Sequence, residues 1–270
     1  MGQQIKFFEK NYIDYNNENA AITVVDTQST DNGQTIVEFL QSRKNSNAWV
    51  TSGSLDSYNT TLEVFLGGAY RVQDILLVGH NFKNYSLDYD DAGVWVDIET
   101  VTSNTDATTH HNMSEVVTSK IRIVITGTMI ADENKRMKQL IISRPFNAGQ
   151  LEGWPVIKPV LDQNKKVTEM LSGKVNIAQS LGGYTIDLSI KSCESESDLE
   201  LFEEMYQRFN EGFLIWCNAG DNAQFKSNRS FWKGEDIFLV KPVDSYTAEW
   251  FQGIYSAGMP IKTRLKEVIR

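Results

Sequence analysis

The sequence predicts a mainly β protein: a β-sandwich over residues 20–145, followed by a β-rich α+β unit over residues 165–270. Three observations carry that expectation. Short runs that alternate apolar and polar residues, the mark of half-buried strands, fill the first half. Three of the five prolines fall within residues 145–165. The second half holds one strongly capped helical pattern among further alternating runs.

In chain order, ITVV (22–25) opens the sandwich. GQTIVEFLQSR, near residues 33–43, has helical periodicity and interrupts the strands. TLEVFLG places Leu62, Val64 and Leu66 on one face. DILLVG (74–79) reads as a buried strand and HNFKN as the loop after it. YSLDY (85–89) and VWVDI (94–98) follow, with Trp95 reading as core between alternating apolar residues. KIRIVITGT sets Ile121, Ile123 and Ile125 on one face, and KQLIIS (138–143) closes the set. Clusters such as SGSLDSYN and DYDDAG supply turns at the spacing of an antiparallel sandwich.

Residues 1–19 read as an N-terminal extension and 146–164 as a linker. In PFNAGQLEGWPVIKPVLDQNK the prolines cannot donate to a sheet ladder, so an extended connection is expected there. KVNIAQSL and YTIDLSIKS read as a hairpin turning at Gly182 and Gly183. SDLELFEEMYQRFNEG is the clearest helix: Ser197 and Glu200 form a capping box, Leu199, Phe202, Tyr206 and Phe209 one apolar face, and Gly212 the stop. FLIWCN, DIFLVK, AEWFQGIY and IKTRLKEVI return to strands, giving a unit with one helix packed on a sheet.

With 270 residues, 41% of them hydrophobic, the chain can bury two moderate cores. A net charge of -9 argues against phosphate-backbone binding, which needs clustered Lys and Arg, so neither sequence-specific nucleic acid nor an anionic membrane is an expected partner. Two cysteines, Cys193 and Cys217, form neither a disulfide framework nor a zinc spacing. MGQQIKFFEKNY lacks an apolar signal region, and no run approaches the roughly 18 apolar residues of a membrane span. Gly2 would suit myristoylation, but Lys6 stands where the motif needs Ser or Thr. The expectation is a soluble chain made without its own export signal.

No GxSxG, GxGxxG, P-loop or HExxH motif is present, so no enzyme, cofactor, catalytic residue or metal site is expected. His110 and His111 are adjacent, and strand neighbours point to opposite faces, which makes a poor metal clip. His80 follows DILLVG, either as a strand-end histidine satisfying loop backbone or as a ligand contact. Asp88, Asp90 and Asp91 with Glu99 have the residue types of a glycosidase carboxylate pair, but alternation puts Asp88 and Asp90 on one solvent face and DDAG is turn composition. Such oxygen-rich loops suit calcium, although no EF-hand spacing exists. Phe82 and Tyr85, read as loop aromatics, suit stacking on sugar or anchoring a partner protein.

Taken in order, NAWVTSG, TLEVFLGGAYRVQDILLVGHNF, YSLDYDDAGVWVDIETV and KIRIVITGT resemble the discoidin, or factor F5/8 type C, family of galactose-binding-like jelly rolls. The resemblance covers residues 20–145 and implies an eight-stranded sandwich binding glycan, lipid or protein through loops at one end. Carried onto this chain, it makes Asn47, His80, Asn81, Phe82 and Tyr85 the ligand-binding candidates. The chain lacks the two cysteines that often staple that family's ends.

From about residue 165, SGKVNIAQSLGGYTIDLSI and GFLIWCNAG are similar to the tail-tube-like domain of phage distal tail and tail-tip proteins. That resemblance implies a helix-backed β-barrel that forms rings by edge-strand pairing. It also implies homo-oligomerisation, other tail or baseplate proteins as partners, and a place in the virion tail after assembly in the host cytoplasm. A negatively lined tube would repel DNA and let it pass. The leading expectation is a structural tail-tip or baseplate protein. Its alternatives are a lectin-like carbohydrate-binding module protein without a tail role and a glycoside hydrolase.

Overall fold

The computed structural model describes residues 4–8, 10–14, 17–26, 37–41, 47–53, 55–56 and 58–146, and then the strand residues 150–151, 156–159, 165–169, 175–179, 184–192, 213–218, 237–242, 247–248 and 261–267. It is mainly β and antiparallel, as the sequence predicts. Two compact units divide it, one centred on Phe8–Pro145 and the other on Phe146–Lys226 and Asp236–Ile269 together with Met1–Phe7.

After β1 (Gln4–Phe8), the first unit is built from β2 (Ala21–Asp26), a 3₁₀ turn at Val37–Gln41, β3 (Trp49–Val50), β4 (Thr60–Val78), β5 (Phe82–Asp91), β6 (Val94–Val101), β7 (Thr109–Thr128), β8 (Arg136–Met137) and β9 (Gln139–Ser143). A six-stranded sheet runs β2-β4-β7-β5-β6, with β9 also on β4, and β3 pairs separately with β8. The helical pattern at 33–43 is thus a short 3₁₀ turn among the described residues, with Leu40 buried in the core.

Strands β4 and β7 are long, and the two ends of each pair with different neighbours. Residues 60–65 of β4 lie between β2 and β7, and residues 74–78 lie between β7 and β9. Register breaks between Phe65 and Tyr70 and between Val72 and Asp74 separate the two stretches. Side chains alternate with period two, so an extra residue exchanges the faces. Leu62, Val64, Leu66 and Val72 enter the core before the second break, and Ile75 and Leu77 after it. Leu76 and Val78 are buried as well, which explains why ILLV is continuously apolar. Ile121, Ile123 and Ile125 of β7, Leu140 and Ile142 of β9, Trp49 of β3 and Met137 of β8 complete one core cluster.

At Gly67 the chain takes φ +83, and a Cβ there would stand 2.9 Å from the Asn19 Cβ and 3.0 Å from its carbonyl carbon. Asn19 belongs to the segment read as an N-terminal extension. That segment is integrated instead: Tyr12 and Ile13 join the core cluster, and the Tyr12 N–H donates to the Ile142 carbonyl at 2.9 Å.

Ala92 and Gly93 form the two-residue turn between β5 and β6, with Asp91 paired to Val94. Both turn residues have positive φ, 51° and 92°, the geometry of a type I′ hairpin. Alanine pays the steric cost of that region, whereas asparagine tolerates it. Ala92→Asn is expected to stabilise the protein by roughly 0.5–1 kcal/mol, measured as a rise in the urea midpoint at unchanged m-value.

The second unit contains β10 (Pro145–Phe146), β11 (Gln150–Leu151), β12 (Val156–Pro159), β13 (Lys165–Glu169), β14 (Val175–Gln179), β15 (Tyr184–Ser192), β16 (Phe213–Asn218), β17 (Ile237–Pro242), β18 (Thr247–Ala248) and β19 (Ile261–Glu267). Its sheet runs β10-β1-β16-β17-β19-β15-β11, with β12 on β15 and β18 on β19. The segment read as a linker therefore supplies three short strands, and β1 inserts between β10 and β16.

Among the described residues, the strands expected to form a hairpin through Gly182 and Gly183 pair with other partners instead. KVNIAQ pairs back onto β13, with Val167 opposite Ile177, while YTIDLSI pairs with β12 and β19. The glycine pair is a turn signal without partner information, and KKVTE was hidden by its nearness to the prolines. The capped helix at 197–212, Cys193 and most of AEWFQGIY lie outside the described residues.

Candidate functional site

The polar residues after β4 gather around one end of the sandwich interior. Gly79 leaves β4 at φ +63, and its N–H donates to the Thr108 hydroxyl at 3.3 Å. His80 follows, its N–H on the Ala107 carbonyl at 2.7 Å. Its Nδ1 accepts the Phe82 N–H at 3.1 Å, which leaves the proton of the neutral ring on Nε2. Nε2 then donates to the Thr109 hydroxyl, 3.1 Å away.

Beyond Thr109 the contacts continue across three strands. The Tyr85 hydroxyl of β5 lies 3.0 Å from both Thr109 Oγ1 and His111 Nε2 of β7. His111 Nε2 is also 3.1 Å from Thr109 Oγ1. Its Nδ1 donates to Glu99 Oε2 of β6 at 2.7 Å, so Nε2 is the acceptor of the neutral ring. The rings of His80, Phe82, Tyr85 and His111 meet mostly edge to face, with centroids 4.9–6.1 Å apart. His80 and Tyr85 are each 2% exposed, while the Glu99 side chain is 51% exposed. The network therefore runs from solvent at Glu99 to an interior imidazole.

Electrostatics follow from that depth. Burial, with some repulsion from His111, pushes His80 down to about 3. Burial lowers His111 too, against the opposing hydrogen bond and charge of Glu99. The Tyr85 hydroxyl is pushed up to about 12, first by burial and also by the charges of Glu99 and Asp106, with the Thr109 bond opposing. Near neutral pH the site thus holds two uncharged imidazoles and two hydroxyls with one carboxylate at its mouth. Among the described residues no group of three or more His, Cys, Asp or Glu side chains is placed to hold a metal ion.

These positions correct the reading of HNFKN as a loop. Phe82 already belongs to β5, and His80, Asn81, Phe82 and Tyr85 are all buried. Phe82 and Tyr85 present no ring face to solvent on which a sugar could stack. Asn81 acts as an internal staple: Nδ2 donates to Glu133 Oε2 at 3.0 Å and the Asn134 carbonyl at 2.9 Å, and Oδ1 accepts the Arg136 N–H at 2.9 Å. Asn47, half-buried, precedes β3.

The acidic stretch also departs from its reading. Asp88 is 7% exposed and accepts from Arg122 Nε at 3.0 Å. The Arg122 guanidinium lies 4.6 Å over the Trp95 ring, on the face away from the core cluster, so Trp95 is half-buried under a cation rather than a core residue. His110 and His111 diverge as strand neighbours should, His110 toward Asp74 and His111 toward Glu99.

Sequence reasoning missed Thr109 and the pairing of His111 with Tyr85. The signal available was the shared parity of Thr109, His111 and Met113 along β7. It also missed Lys135, wholly buried, whose Nζ donates to the carbonyls of Leu55 at 2.7 Å and Tyr58 at 2.6 Å.

No protein-family model matches the chain, and no curated protein matches it. Among solved structures it is similar to a Ruminococcus gnavus GH29 fucosidase in complex with fucose, at 17% identity over 52% of this chain and 28% of that one, with a TM-score of 0.43. It is similar to the family 32 carbohydrate-binding module of Streptococcus pneumoniae EndoD at 16% identity over 50% of this chain and 99% of that one, TM-score 0.42. A third similarity is to the family 32 module of C. perfringens NanJ in complex with galactose, at 15% identity over 52% and 100%, TM-score 0.41. The chain thus spans little more than a quarter of the fucosidase, and its structural neighbours include family 32 carbohydrate-binding modules over about half of its own length.

Proposed function

We propose that the chain is a structural component of a bacteriophage tail tip or baseplate. It forms a ring through its C-terminal unit and presents the sandwich to host glycan or to neighbouring tail proteins. The observation that carries the assembly is the β13–β14 hairpin, which is a two-stranded sheet by itself among the described residues. A two-stranded ribbon is marginally stable in water, and its open edges are templates for strands of another copy. The net charge of -9 suits a tube through which DNA passes. The glycan arm rests on the resemblance to discoidin-like sandwiches, and repetition around a ring raises the avidity of weak contacts by roughly 10²–10⁴. No catalytic role is part of this reading.

A second reading, a carbohydrate-binding module protein without a tail role, draws on the sandwich having a closed hydrophobic core of its own. Light scattering with electron microscopy of the purified chain, alone and mixed with candidate tail-tube proteins, separates the two. Assembly predicts a symmetric oligomer or incorporation into tubes. A chain that stays monomeric in every mixture and binds immobilised glycan sinks the ring and favours the module.

A further inference from the structure

We infer that the His80–Thr109–Tyr85–His111–Glu99 network is an acid-sensitive latch holding the β5–β6 hairpin against the Thr109–His111 end of β7, released when His111 takes up a proton. The inference is independent of any role in a tail.

It rests on counting donors and acceptors. With His111 neutral, three hydrogens must be placed among the interior groups: His80 Nε2–H, the Thr109 hydroxyl and the Tyr85 hydroxyl. The contacts available are His80 to Thr109, Thr109 to Tyr85, and His111 Nε2 to both hydroxyls. His80 donates to Thr109, one hydroxyl donates to the other, and the remaining hydroxyl hydrogen goes to His111 Nε2. Every donor is used and His111 Nδ1–H serves Glu99.

A proton on Nε2 breaks the count. His111 becomes a donor on both nitrogens, and the interior loses the nitrogen acceptor. The single Thr109–Tyr85 contact carries only one hydrogen, so one hydroxyl, that of buried Tyr85 or of half-buried Thr109, is left without an acceptor in the network. An orphaned donor costs more than the bond was worth, and the surplus is relieved when separation of the groups admits water to them. The groups come from β5, β6 and the Thr109–His111 end of β7, which pairs with β4, whereas β5 itself pairs with β7 at residues 121–128.

The surroundings divide on the imidazolium. Glu99 of β6 favours it. His110 beside it on β7 opposes it and is itself bonded to Asp74 of β4, while His80 from the β4–β5 turn faces it as a neutral ring. Asp106 from the β6–β7 loop acts on Tyr85. Burial opposes a charge on His111, so proton uptake favours the opened hairpin, where the ring meets water.

Amide hydrogen exchange of the full chain at pH 7.5 and pH 5, corrected for intrinsic rates, tests the latch. Protection in residues 82–101 is expected to fall at least tenfold more than in β9. His111→Gln should reduce that differential to less than threefold. Equal loss in both regions, or an undiminished differential in His111→Gln, overturns the latch. If His111→Gln does not fold, NMR titration of the wild-type chain decides: the His111 ring and the β5–β6 amides should shift with one midpoint, and separate midpoints overturn the proposal.

Discussion

Lys135→Met is expected to destabilise the sandwich by about 2–3 kcal/mol, seen as a lower urea midpoint. Methionine matches the lysine stem in length and gives up only the ammonium, so the loss isolates the head group. That head group lies in a side chain with no exposed surface and donates to the carbonyls of Leu55 and Tyr58. Two effects compete. Removing a buried charge recovers a desolvation penalty, which is why replacing an entire buried ion pair by apolar residues is often harmless. Here the Leu55 carbonyl keeps the Tyr58 N–H at 3.1 Å, while the Tyr58 carbonyl loses the ammonium, at a cost of about 1–3 kcal/mol. The Thr51 N–H donates to the Lys135 carbonyl and the Lys135 N–H to the Thr51 hydroxyl, each at 2.9 Å, and neither bond depends on the lysine side chain. The damage should therefore concentrate in the loop between β3 and β4, with β5–β6 amides keeping their protection. A variant within about 1 kcal/mol of the wild type would show that the ammonium contributes no net stability.

Acid is expected to have a larger effect through His80. Its folded pKa of about 3 lies below the ordinary 6.5, so the unfolded chain binds the extra proton between those values. Stability from this group is complete above about pH 6.5 and falls as pH drops toward 3. At 1.36 kcal/mol per unit, the full loss is roughly 4–5 kcal/mol. Carboxylates also titrate near the lower end, so the decisive measurement is a difference. His80→Asn keeps an acceptor near the Nδ1 position for the Phe82 N–H and cannot be protonated. Its unfolding free energy should decline less steeply than the wild type's from pH 6.5 to 4.5. Parallel declines would mean that His80 is not held neutral by its surroundings.

The sandwich was legible where alternation was unbroken. Leu62, Val64 and Leu66, and Ile121, Ile123 and Ile125, share a period of two and occupy the core. Legibility failed where the ladder slips. Phe82 and Tyr85 both face inward although three residues separate them, because β5 changes register around Asn84. A slip reverses parity, so FKNY looks aperiodic and reads as a loop. Asp88 and Trp95 were misplaced for another reason: a carboxylate hides its burial until Arg122, 34 residues further on, supplies the partner. Nothing local marks Lys135 as interior, since the carbonyls that hold it lie 77 and 80 residues earlier. In the second unit, β14 chose β13 over β15, and alternation alone assigns strands without assigning their partners.

The two long strands have a mechanical consequence. β4 spans 19 residues and β7 spans 20, paired antiparallel from Thr60–Ile125 to Leu77–Thr109. Each runs through all of its paired stretches as one covalent thread. Tension drawing the two strands past each other loads their cross-strand bonds together in shear, whereas tension peeling β6 from β5 at the Ala92–Gly93 turn loads them one at a time. The domain should therefore resist stretching along β4 and yield readily at the hairpin, a directional stiffness set by where the long strands run.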